Sequence, residues 1–209
     1  MDSSFLTLVH VGNGIYALLS FIKLIIQFGL PNHPARFLCY MVCLSAVCYL
    51  VGLAATDLGY LSPWVWMRWR SLPLVAGSVC LLFQVITLVG NFSLLQQKII
   101  SRLPLMGALL CFAFFQEKAS YVSGAFILAA ALFFSISVGK ARHQKRQILK
   151  MTFFLLLWNG LRLTQNYWAF VLAEVLLTFA IFYLFLFEQS TAVAAMVDEF
   201  RTDLEGDLA

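Results

Sequence analysis

Residues 166–187 read "NYWAFVLAEVLLTFAIFYLFLF". As an α-helix these 22 residues extend about 33 Å, enough to cross a hydrocarbon core of about 30 Å. One ionisable side chain interrupts the run, Glu174. A carboxylate at bilayer depth costs roughly 3 kcal/mol or more, so the helix must turn it into a bundle interior. The stretch therefore fixes two expectations: a helical membrane protein, and a buried acid within it.

Composition agrees. Of 209 residues, 62% are hydrophobic and 11% charged, against about 25% charged in an average soluble domain. Mean hydropathy is +0.87. The expected fold class is all-α: a polytopic integral membrane protein with a bundle of seven transmembrane helices. The spans are read as residues 5–30, 37–58, 72–95, 99–115, 121–138, 148–163 and 166–187. Together residues 1–189 form the membrane domain, and residues 190–209 form an acidic amphipathic tail in the cytoplasm. The fourth span is short, with Arg102 and Pro104 near its start. The first lacks a basic leader segment and carries Lys23, so it is read as a retained span.

Basic residues set orientation. Arg36, Lys98, Arg102, Lys140, Arg142, Lys145, Arg146, Lys150 and Arg201 fall on one side; Arg68, Arg70, Lys118 and Arg162 fall on the other. Nine against four places the N-terminus outside and the C-terminus in the cytoplasm, with a bacterial inner (plasma) membrane as the expected location.

Depth along each span then brings polar side chains together. Glu174 lies roughly 3 Å outside the midplane, Asn13 about 6 Å, Asn159 about 4–5 Å, and Gln84 near the centre. A carboxylic acid can donate to and accept from such amides. This layer reads either as glue between helices or as a proton or ligand site. Lys23, about 12 Å below Glu174, either rises toward it or reaches down to the headgroups.

At the outer surface, Trp64, Trp66 and Trp69 sit beside Arg68 and Arg70 in "SPWVWMRWRS", an interfacial rim that Asp57 could join by pairing with an arginine. Inside, "GKARHQKRQILK" supplies Lys140, Arg142, Lys145, Arg146 and Lys150, an anchor that also attracts anionic lipid. The tail reverses the sign, with six acids from Glu188 onward against Arg201. Val193, Val197, Phe200 and Leu204 recur at helical spacing and form a partner face, for the basic loop or another chain. Ala125 and Ala129 have the small-xxx-small spacing of close helix contact, as between protomers of a homo-oligomer.

Several chemistries are not expected. Five cysteines (Cys39, Cys43, Cys48, Cys80, Cys111) all lie in apolar runs and read as buried free thiols. The histidines are His10, His33 and His143, with His10 alone in its span, so neither a metal nor a haem is expected, and no other cofactor. The last span has no lysine for a retinal Schiff base. Gly77-Ser78 has no histidine base at its depth, and nothing points to nucleic acid. The architecture resembles the seven-helix membrane modules that bacterial signalling proteins use as input domains, a likeness of helix count from which this chain departs by lacking an output domain. That implies a non-enzymatic sensory or scaffold subunit, assembling with a membrane or cytoplasmic partner and signalling through its tail. The alternatives are a small proton-coupled transporter working through the Glu174 layer, and a membrane enzyme acting on lipid.

Overall fold

A computed structural model describes residues 3–29, 34–90, 92–115, 118–136, 142–162, 164 and 166–206. The described chain is all-helical, without strands. Its helices are α1 (Ser3–Phe28), α2 (Pro34–Asp57), α3 (Pro63–Trp69), α4 (Ser71–Val89), α5 (Leu94–Ile100), α6 (Leu103–Phe115), α7 (Ala119–Ile136), α8 (Arg142–Arg162) and α9 (Tyr167–Gly206).

Among the described residues, four stretches are long and apolar enough to cross a membrane: Phe5–Phe28, Arg36–Asp57, Pro63–Val89 and Trp168–Val197. Tyr121–Ile136 is apolar but shorter. The structure differs from the expected spans in three places. The expected loop before the third span is helical from Pro63, because proline suits the first helical position, where no N–H is needed. The fourth span divides into α5 and α6 at Ser101-Arg102, just before Pro104, leaving α6 at 13 residues. The basic loop is helical from Arg142, so Arg142, Lys145, Arg146 and Lys150 ride on the first turns of α8, while Lys140 lies outside the described residues.

Local chemistry sets the helix ends. Gly29 takes φ 67° after α1, a left-handed conformation that suits glycine. The carbonyls there would otherwise be orphaned. Tyr40 Oη donates to Gly29 O at 2.6 Å, and Arg36 Nη1 donates to Phe28 O at 2.7 Å, so α2 closes the end of α1. Gly59, at φ 79°, ends α2 in a Schellman turn, with Tyr60 N–H donating to Ala55 O and Gly59 N–H to Thr56 O. Ser93 and Gln96 cap α5 reciprocally. Asn166 Oδ1 accepts from Trp168 N–H at 2.9 Å, and no glycine or proline then interrupts α9 before Gly206.

The most extensive pairing is α8 against α9, in which Phe154 stacks between Phe179 (centroids 5.5 Å apart) and Tyr183 (5.8 Å). Helix α4 packs on α2, α6 and α7, while α1 leans on α2 and α9. Trp66 is buried, in contrast to its expected place on the interfacial rim, and a Cβ at Gly52 would collide with its ring. Glycine is what lets α2 receive this indole. The core has one cluster around Tyr49, Leu50, Trp66, Trp158 and Leu177 and another around Leu38, Val85, Phe134, Met151 and Phe187. A cavity of 110 Å³ lies among α2, α4, α7, α8 and α9, lined by Ser45, Tyr49, Gly77, Trp158 and Ile181 among others.

Candidate functional site

Three helices converge on His10. Its ring lies on α1, 5% exposed. Nδ1 contacts Oδ2 of Asp57, the last residue of α2. Nε2 lies 3.2 Å from Oε2 of Glu174 on α9. Glu174 is 1% exposed, and its Oε1 accepts from Trp158 Nε1 of α8 at 3.4 Å. The Asp57 side chain is 26% exposed, so the cluster grades from a reachable carboxylate to a sealed one.

The arrangement constrains its protons. A neutral imidazole carries one N–H, which would set a lone pair on the other nitrogen against a carboxylate oxygen. Both contacts are satisfied when the ring is protonated at both nitrogens, or when one carboxyl holds the proton. His10 is thus a bridge rather than a metal ligand, because its two carboxylates lie on opposite ring nitrogens. Among the described residues no group of His, Cys, Asp and Glu is arranged to hold a metal ion.

A second buried acid lies four turns on. Glu188 follows Glu174 by 14 residues on α9, on nearly the same helix face and about 21 Å along the axis. It is fully buried, and its Oε2 accepts from Gln84 Nε2 at 2.5 Å. Cys39 Sγ donates to its carbonyl at 3.4 Å. Glu188 Oε1 and Gln84 Oε1 have no hydrogen-bond partner among the described residues.

The expected polar layer is therefore rearranged. Gln84 is bonded to Glu188 and not to Glu174. Asn13 is buried one turn beyond His10, with Nδ2 unpartnered among the described residues. The Asn159 side chain lies outside the described residues. Lys23 is exposed and lines a cleft between α1 and α9, away from the acid layer. Asp57, expected on the rim, holds His10 instead.

Of the rim, Trp64, Trp69, Arg68 and Arg70 are exposed, with the Arg68 guanidinium 5.6 Å above the Trp64 ring. In the basic segment Arg146 is exposed and Lys150 lies 5.0 Å over the Tyr183 ring; Lys140 and the side chains of Arg142 and Lys145 lie outside the described residues. On the tail face Val193 and Val197 are exposed, while the side chains of Phe200 and Leu204 lie outside the described residues. Thr191, Ala192 and Ala195, in the same expected tail, are buried. Cys39, Cys43 and Cys80 are buried free thiols; Cys48 is exposed, and the Cys111 side chain lies outside the described residues.

Sequence reasoning missed His10 and Glu188. The missed signal for Glu188 was its 14-residue spacing from Glu174 and the small residues just after it. Comparison of the chain with protein-family models, with curated proteins and with solved structures finds no match.

Proposed function

We propose that the protein is a non-enzymatic membrane sensory or scaffold subunit in which proton occupancy of the His10–Asp57–Glu174 cluster is read through α9 by a partner. One observation carries this: a single imidazole joins α1, α2 and α9 through both of its nitrogens. Histidine is the side chain whose ordinary pKa lies in the physiological range, so proton gain or loss here changes what holds three helices together. The partner is a membrane or cytoplasmic protein, or a second copy of this chain, engaged through the end of α9 that carries Val193 and Val197.

The accompanying topology has seven crossings, the N-terminus outside and the C-terminus in the cytoplasm of a bacterial inner (plasma) membrane. The nine-to-four basic asymmetry supports that orientation. Helix directions support the last two of these crossings: Trp158 of α8 meets Glu174 near the start of α9, and Gln147 meets Ser190 farther along it, so these helices run antiparallel.

The test is a spectroscopic label at Thr202 in full-length protein in nanodiscs, titrated from pH 5 to pH 8. The label environment should change in the wild type and stay flat in His10→Gln. An equal response in both would overturn the proposal.

A second reading, a small proton-coupled transporter, is favoured by the pair Glu174 and Glu188 on one helix face, each buried. It predicts proton uptake into proteoliposomes that Glu188→Gln abolishes, which the sensory reading does not.

A further inference from the structure

Helices α1 and α9 touch at His10 and Glu174, then part to leave a cleft of 380 Å³ toward the Phe28 end of α1. Tyr16 and Phe185 meet edge to face near its upper limit, centroids 6.1 Å apart. Phe182 lines the cleft about one turn above Phe185 on α9, and Leu19 and Leu186 line the walls below the pair. Lower still the lining turns polar, with Ser20, Gln27 and Gln189 around Lys23.

Two features restrict what fits. Lys23 is an exposed cation, and no acidic side chain lines the cleft among the described residues. A partner protein helix would have to bring an acid to this depth at high cost. The cleft also grades along the axis from apolar to cationic over Tyr16 to Lys23, about 10 Å. A membrane molecule graded in the same sense is a phospholipid with an anionic headgroup.

We infer that the cleft is a binding site for one anionic phospholipid of the leaflet at the Phe28 end of α1. Its phosphate sits on the Lys23 ammonium, with Gln27 and Gln189 as amide donors beside it. Its acyl chain lies between α1 and α9 below the Tyr16–Phe185 pair. This is independent of the proton reading, since neither the lipid nor Lys23 touches the His10 cluster.

The test is native mass spectrometry of delipidated full-length protein titrated with dioleoylphosphatidylglycerol or dioleoylphosphatidylcholine. Wild type should retain one phosphatidylglycerol about tenfold more tightly than phosphatidylcholine. Lys23→Ala should remove that preference, and Lys23→Arg should keep it. Leu186→Trp, which fills the slot and leaves the cation, should weaken retention of both lipids. An undiminished phosphatidylglycerol preference in Lys23→Ala overturns the site. So does a change of oligomeric state in Lys23→Ala with lipid retention unchanged, which would assign the cleft to a second copy of the chain.

Discussion

His10 Nε2 stands 3.2 Å from Glu174 Oε2, so the first and last helices of the bundle are joined through one imidazole. Removing that ring leaves two carboxylates facing each other across an apolar gap. His10→Leu should destabilise the protein by about 3–5 kcal/mol, the scale seen when one member of a buried charged pair is lost. Chemical denaturation in mild detergent measures it. A loss below 1 kcal/mol would mean that the cluster does not hold the helices.

Glu174→Gln keeps the size and an oxygen for Trp158 Nε1 but cannot carry the proton. The expected cost is about 1 kcal/mol or less, since interhelical hydrogen bonds in membranes average about 0.6. The pH response of a Thr202 label should nevertheless disappear. Glu174→Leu should lose both stability and response, because His10 and Trp158 are left without their acceptor.

Gln84 and Glu188 form a pair that double substitution can isolate. Gln84→Leu strands a buried carboxyl and should cost about 2–3 kcal/mol. Gln84→Leu with Glu188→Leu should cost less than the sum of the single changes, by about 0.5–3 kcal/mol. Strict additivity would show that the two side chains are not energetically coupled.

Gly52→Ala places a methyl group where the Trp66 ring lies. Overpacking of this kind costs about 1–3 kcal/mol. Gly52→Ala with Trp66→Leu should recover part of the loss, and thermal unfolding of the three variants reports it. If Gly52→Ala is neutral, the indole is not seated in the notch.

Truncation should separate the packed part of α9 from the rest. Ending the chain after Gln189 removes Thr191, Ala192 and Ala195 from the core and should lower thermal stability. Ending it after Val197 should leave stability unchanged while weakening partner binding, since Val193 and Val197 remain but Phe200 and Leu204 of the expected partner face are lost. Co-purification in mild detergent gives the second readout.

What was legible followed from local chemistry. The run after Asn166 announced a membrane helix, and its lone acid announced a buried group, because the cost of each alternative is a property of the residue alone. Helix in the tail was legible too, from the helical spacing of Val193, Val197, Phe200 and Leu204. His10 was not, because its meaning comes from Asp57, 47 residues away, and from Glu174 on the last helix. An isolated histidine and a rim aspartate look ordinary until helix packing superposes them. Glu188 was counted only with the run of acids that leads into the tail, yet the helix face that carries it is packed against Gln84 and Cys39. The Trp66 notch depended on a glycine of another helix, which no reading of the tryptophan-rich segment would supply.

Helix α9 also has a mechanical consequence. Gly206 lies 32 positions after Glu174 along an unbroken helix, a rod of about 48 Å. A tilt of only about 5° pivoting at Glu174 would sweep its far end by about 4 Å over that length. That is comparable to the side chain of a leucine and enough to separate or engage a packed partner. On the proposed reading, a proton change beside His10 would reach the far end of α9 only by shifting the buried Glu188, Thr191, Ala192 and Ala195 along with the rod.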